Sequence, residues 1–357
     1  MSNLQGFILL VLFVLNVGIA LLLKLYLQTY EKGKYVIIER ILKYYMILTP
    51  MFFMFAIGER WRFGEKFLPS GQPDDLAWGP FHLFWLAAMV VGIIVASSRL
   101  KADKESNQRY LFGRLNAIDY TVFQFGILLV GIEFYKQMIF LDLYKGLAHY
   151  HWYGFPLQFC SIPLILYPIV PFIKNEKIKE AFYSFIAIFN FVGGLSVMLL
   201  ASGVYTLHVS ISIHTMLWHG TMVIAAFYLI NAYKIGTKWR HYVGALTVLL
   251  ALVIVAQLTN IAFHYIGQKY PGPDNFDGFF ISPWIDRKNM PVLGDIRVAM
   301  QESGLPVFLI AILFPHIYLV VFGFAGLLVF LIFRAIWLDS ERRHHAKEIA
   351  PAVSHTE

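Results

Sequence analysis

Between Trp152 and Ile173 the chain reads WYGFPLQFCSIPLILYPIVPFI, a run apolar enough for a bilayer yet ill suited to a regular helix. It carries four prolines (Pro156, Pro163, Pro168 and Pro171), the amide of Gln158 and the only cysteine, Cys160. Proline removes an N–H donor and frees the carbonyl four residues back, so in a helix Pro163 leaves the Phe159 carbonyl unpaired beside the thiol. Backbone of this kind is tolerated at membrane depth only where protein or trapped water covers it. The segment therefore calls for a bundle of other spans around it.

The rest of the chain supplies one. Of its 357 residues, 58% are hydrophobic and 14% charged, against about 25% charged in soluble domains. The fold class expected is all-α, a polytopic transmembrane helix bundle in a lipid bilayer. A net charge of +7 does not point to nucleic acid, because the basic residues sit in short loops between apolar spans, as topology signals do. A single cysteine excludes an intramolecular disulfide and a cysteine-rich metal site. The first apolar segment has no basic residue before it and no small-residue cleavage site, which reads as a retained helix and not a removed signal peptide.

Apolar runs of roughly 17 to 25 residues are the unit of such a chain. Nine are found, approximately Gly6 to Leu23, Leu42 to Ile57, Pro80 to Ser97, Ala117 to Tyr135, Trp152 to Ile173, Ala181 to Ala201, Tyr205 to Ala232, Tyr242 to Ile266 and Leu305 to Ile332. With nine spans the loops form two sets, holding 20 and 9 of the 29 lysines and arginines. The positive-inside rule puts the richer set in the cytoplasm, the N-terminus outside and the C-terminal tail, 339–357, inside. Residues 1–113 then form about three N-terminal spans and 114–338 a helical core. The outer loop 267–304, with Pro271, Gly272, Pro273 and Trp284, is expected to cap the bundle. Gly193, Gly194, Ser196 and Ala201 give the sixth span a small-residue face for close packing.

Polar and ionisable side chains inside a membrane are functional candidates by default. At 1.5 Å per helical residue, Cys160 falls roughly 12 Å below the outer end of its span. Gln158 lies within a turn of it, Glu133 near the outer end of the fourth span, and Asn260 and His264 near that of the eighth. His208, His214 and His219 line the seventh. No two of these three can bind one ion from a regular helix: His208 and His219 share a face but stand roughly 16 Å apart along the axis. With no HExxH motif and no second thiol, neither a metal nor another cofactor is expected. The bland readings are a cysteine that packs as a small hydrophobe, hydrogen-bonded structural histidines, and a Glu133 that pairs with Lys136 three residues on. The functional reading is a thiolate nucleophile activated by histidine, the arrangement acyl transfer needs.

FPLQFCSIPL at 155–164 and WHGTMVIAAFYLI at 218–230, with FNFVGGLSVMLLAS at 189–202 between them, resemble the transmembrane protein 164 acyltransferase family, which includes the bacterial YwaF-like membrane proteins. The likeness runs from roughly Arg114 to Leu331 and includes, less clearly, the region after Asn260. It implies an integral membrane enzyme that moves a fatty acyl chain from a phospholipid to a lysophospholipid, with Cys160 as nucleophile and His219 as its histidine. Gln158 stands where the family usually has histidine. The family is also distantly similar to androgen-induced hydrolases of fatty-acid esters. A seventh span starting near Tyr205 puts His214 level with Cys160; one starting near Ile211 puts His219 there instead, and the motif favours His219. Asn260, Gln158, Glu133 and His208 are candidates for substrate or oxyanion contacts. The membrane expected is a bacterial plasma membrane. The competing reading is a transporter or lipid-binding protein whose polar cluster lines a pathway.

Overall fold

The computed structural model describes residues 2–31, 34–141, 150, 152–201, 203–270, 276–285, 290 and 292–353. Among them the chain is helical apart from turns and two isolated bridges. Eight helices are long and apolar enough to cross a membrane. Three precede the core: α1 (Asn3–Tyr30), opened by a Ser2/Gln5 capping box, α2 (Val36–Ile57) and α3 (Pro80–Glu105), which begins on a proline at its first turn. The core contains α4 (Ala117–Leu141), a short α5 (Pro163–Ile169), α6 (Glu176–Phe185), α7 (Phe191–Leu200), α8 (Val209–Tyr233) and α9 (Trp239–Gly267). The chain closes with α10 (Leu293–Glu302) and α11 (Val307–Val353). The expected tail continues α11 as helix, and residues 354–357 lie outside the described set.

Side-chain bonds fix the helix directions. His82 and Met198 meet at one end of the bundle, called the upper end, and Lys104 donates to the Asn231 carbonyl at the other. Thus α3 and α8 both run downward. α4 runs upward, with Asp119 beside Tyr233 below and Glu133 beside His214 above. α9 rises from His241, bonded to Glu180, and α11 descends to Arg334 and Trp337, which cap carbonyls of the α8–α9 turn. α8 is the axis of the molecule, with 78% of its most apolar stretch buried, whereas α1 lies at the periphery with 11%.

The fifth expected span departs from a helix. Trp152–Gly154 and Phe159–Ser161 are single 3-10 turns, with irregular backbone between them, and α5 is only seven residues long. Pro163 opens α5, where its missing N–H has no helical partner to lose, and therefore ends the irregular stretch above it. The helical rise used to place Cys160 does not apply above that proline. The segment still passes from one end of the bundle to the other. Gln137, near the top of α4, donates to the Gly154 carbonyl, while Phe172 packs on Phe123 near the bottom of the same helix. The sixth span is also interrupted: α6 and α7 are joined by one turn of π-helix, Ile186–Asn190, every residue of which is buried. The glycine pair above it does pack closely. A Cβ on Gly194 would lie 2.9 Å from the His219 carbonyl, and one on Gly193 3.0 Å from the Phe159 ring.

The loop after α9 does more than cap the bundle. Phe276 to Ser282 descends into it, and Phe279 and Ile281 are fully buried. Asn260 holds the plug by its backbone, accepting from the Gly278 N–H at 2.7 Å and donating to its carbonyl at 3.1 Å. A Cβ at 278 would lie 3.0 Å from the Phe276 ring and 3.1 Å from Asn260 Oδ1, so the close clamp favours glycine there. Asp277 pairs with buried Arg297 of α10 at 2.8 Å and accepts from the Ser282 N–H. Arg297 also donates to the Phe280 carbonyl. Phe279 and Phe280 both adopt left-handed backbone (φ 56° and 57°), which bulky residues rarely do unless neighbours impose it.

Candidate active site

Cys160 is partly buried in the 3-10 turn Phe159–Ser161, packed on the main hydrophobic core. Its carbonyl accepts from Trp218 Nε1 at 2.7 Å. This bond brings the Trp218–His219 turn of α8 to the backbone of Cys160, with α8 starting at Val209 between the two starts considered from sequence.

His219 is buried, and its Nδ1 lies 2.7 Å from the Thr215 carbonyl. A carbonyl only accepts, so Nδ1 carries the proton and Nε2 of the neutral ring presents a lone pair. That Nε2 is buried without a hydrogen-bond partner. His214, one turn above, is engaged differently: its Nε2 lies 3.2 Å from Glu133 Oε2 and its ring stacks on Trp218 with centroids 5.2 Å apart.

Glu133 does pair with Lys136, at 2.8 Å, and in addition receives Gln137 and His214. Gln137 in turn holds the Gly154 carbonyl and accepts from Tyr150. With three donors on it, Glu133 anchors α4, α8 and, through Gln137, the segment before Cys160 to one another.

The remaining candidates are placed elsewhere. Gln158 Nε2 donates to the Asp277 carbonyl at 2.8 Å and Asn260 is occupied by Gly278, so both amides hold the plug. His208 precedes α8 at the upper rim, where its segment pairs with Arg62, eleven residues before His219. His264 stacks on Trp284 with centroids 4.0 Å apart. Among the described residues no group of three His, Cys, Asp or Glu side chains is placed to hold a metal ion.

Sequence reasoning passed over Trp218, which lies inside the WHG motif but reads as a core aromatic. It also passed over Asp277 and Arg297, which in a loop of mixed charge look like solvated residues yet are buried. A Gly-flanked aromatic run, DGFFI at 277–281, was the available signal that part of the loop is not surface.

No match was found among curated proteins or among solved structures. The TMEM164 family model matches residues 77–285. The match starts earlier than the likeness at Arg114, taking in α3, and stops before α10 and α11. It spans more than half of the sequence and contains Cys160, His214, His219 and the plug: the chain belongs to the TMEM164 family.

Proposed function

We propose that the protein is a membrane acyltransferase that moves a fatty acyl chain from a phospholipid to a lysophospholipid through a thioester on Cys160. The observation that carries this reading is the buried, unpartnered Nε2 of His219, on the turn of α8 that reaches Cys160 through Trp218. A buried acceptor left unmatched costs about 1–3 kcal/mol, and a general base awaiting a proton is a physical reason to retain one.

In the first half-reaction His219 Nε2 takes the thiol proton and the sulfur attacks an sn-1 or sn-2 ester carbonyl. The carbonyl electron pair moves to oxygen, then returns as the ester C–O bond breaks. The departing lysolipid alkoxide takes the proton from the imidazolium. In the second, an acceptor hydroxyl gives its proton to His219 and attacks the thioester, and the thiolate leaves and is reprotonated. Water in place of the lysolipid makes the same machinery a lipase. His214, bonded to Glu133 and stacked on Trp218, positions the turn that carries the base. With the N-terminus outside, as the charge bias has it, the thiol faces the outer leaflet of a plasma membrane, bacterial in the reading favoured here.

Intact-protein mass spectrometry after incubation with a defined phosphatidylcholine tests this. The expected result is a hydroxylamine-labile increment of one acyl chain, absent in Cys160→Ser. No adduct under single-turnover conditions, with lipid demonstrably bound, overturns it and returns Cys160 to a packing residue.

A further inference from the structure

Attack on an ester puts a negative charge on the carbonyl oxygen, and the two side-chain amides closest in sequence logic to that role are taken up by the plug. A different donor stands one aromatic ring away from Phe159, the residue before the thiol. Tyr318 of α11 is fully buried and its hydroxyl has no hydrogen-bond partner. Its ring closes a box of four aromatics. Phe159 meets Phe279 at 5.7 Å and Phe322 at 4.9 Å, and Tyr318 meets Phe279 at 6.2 Å and Phe322 at 4.4 Å between centroids. Phe159 directly precedes Cys160, and Phe279 belongs to the plug. The ring is thus fixed by packing alone and the O–H, its one polar group, is left unused.

A buried phenol ordinarily finds a partner. One held rigidly, without any, in an aromatic box that includes the residue before the nucleophile is a donor available to a group not yet present, the arrangement that stabilises a developing oxyanion without reorganisation. We propose that the Tyr318 hydroxyl donates to the oxyanion formed on the ester carbonyl attacked by Cys160, and to that of the thioester in the second half-reaction, which makes it a catalytic residue. This rests on the thioester reading above. The donor forms no covalent bond and keeps its proton: the carbonyl π pair becomes a third lone pair on oxygen, accepts the O–H bond, and returns when the leaving group departs. Tyr318 lies beyond the matched residues 77–285, so α11 would complete the site.

The test is the rate of the hydroxylamine-labile adduct in Tyr318→Phe, which preserves the box. The expected result is a fall of about 10²–10³-fold. Thermal unfolding should be unchanged or shifted upward, because the lost hydroxyl satisfied nothing in the free protein. Incorporation of 3,5-difluorotyrosine at 318, a stronger donor of similar shape, should restore the rate. No adduct in the wild type overturns the thioester reading and this one with it. A wild-type adduct formed as fast by Tyr318→Phe overturns the assignment of Tyr318 alone. A lower unfolding temperature or loss of folding in Tyr318→Phe also overturns it, since the hydroxyl would then be a structural bond.

Discussion

The bundle buries polar groups at both ends of α8, and the two sets differ in how completely they are satisfied. At the lower end, Asp119 accepts from Tyr183, Tyr233, Lys179 and Asn116, and Asp103 accepts from Arg99, Thr121 and Tyr228. These bonds tie α3, α4, α6 and α8 together and saturate both carboxylates. At the upper end Glu133 is just as saturated, but beneath it His219 Nε2 and the Tyr318 hydroxyl have no partner. A complete network is explained by stability; an incomplete one needs another reason. The contrast holds around the three carboxylates; buried atoms without a partner also occur away from the site, as at Ser184 beside Tyr183, so it points to His219 and Tyr318 and does not define the site.

The comparison breaks most visibly at the thiol. Cys160→Ala should leave a folded protein with no detectable acyl adduct by mass spectrometry, whereas for a scaffold cysteine neither the wild type nor the variant would carry a thioester. His219→Gln, which removes the unpartnered base, should slow adduct formation by about 10²–10⁴-fold without lowering the unfolding temperature. The lower set should respond in the opposite way. Asp119→Ala strands Lys179, whose other carboxylate neighbour, Glu176, lies 3.5 Å away and mostly exposed. Breaking a buried pair costs about 3–5 kcal/mol, so thermal unfolding should fall markedly while adduct yield per folded molecule holds. The smallest effect sharpens the contrast: Arg240→Ala removes an exposed partner of Glu180, which keeps His241, and should change stability by less than about 1 kcal/mol with activity unaltered.

Much of the architecture was legible from residues. Eight of the nine expected runs are long helices, and their alternation follows from composition because hydrocarbon admits little else. Trp152 to Ile173 was recognisable as poor helix, and the structure breaks it up: Pro163 opens α5 and Pro171 stands in the first turn of the 3-10 helix Val170–Phe172, while Pro168 is accommodated inside α5. What was hidden lies where hydropathy and contact diverge. Lys179 reads as a topology charge at the mouth of a span, yet its ammonium is buried on Asp119. Asn260 reads as a free intramembrane amide, yet a loop eighteen residues on consumes it. Tyr318 reads as another membrane aromatic, because one hydroxyl barely changes the apolar character of its stretch and nothing local tells that it goes unbonded.

The single π turn at Ile186–Asn190 sets the phase of everything above it. Such a turn holds one residue more than the α-helical turn it replaces, so Gly193 and Gly194 are rotated by roughly 100° from where an unbroken helix would carry them. That rotation is what lets the two glycines lie against Phe159 and the His219 carbonyl. Deleting one of the five residues would remove that extra residue and leave the glycine pair in the same phase on a continuous helix; straightening the turn at its full length would instead turn the pair away, dismantling the contact between thiol segment and base with every residue of the site still in place.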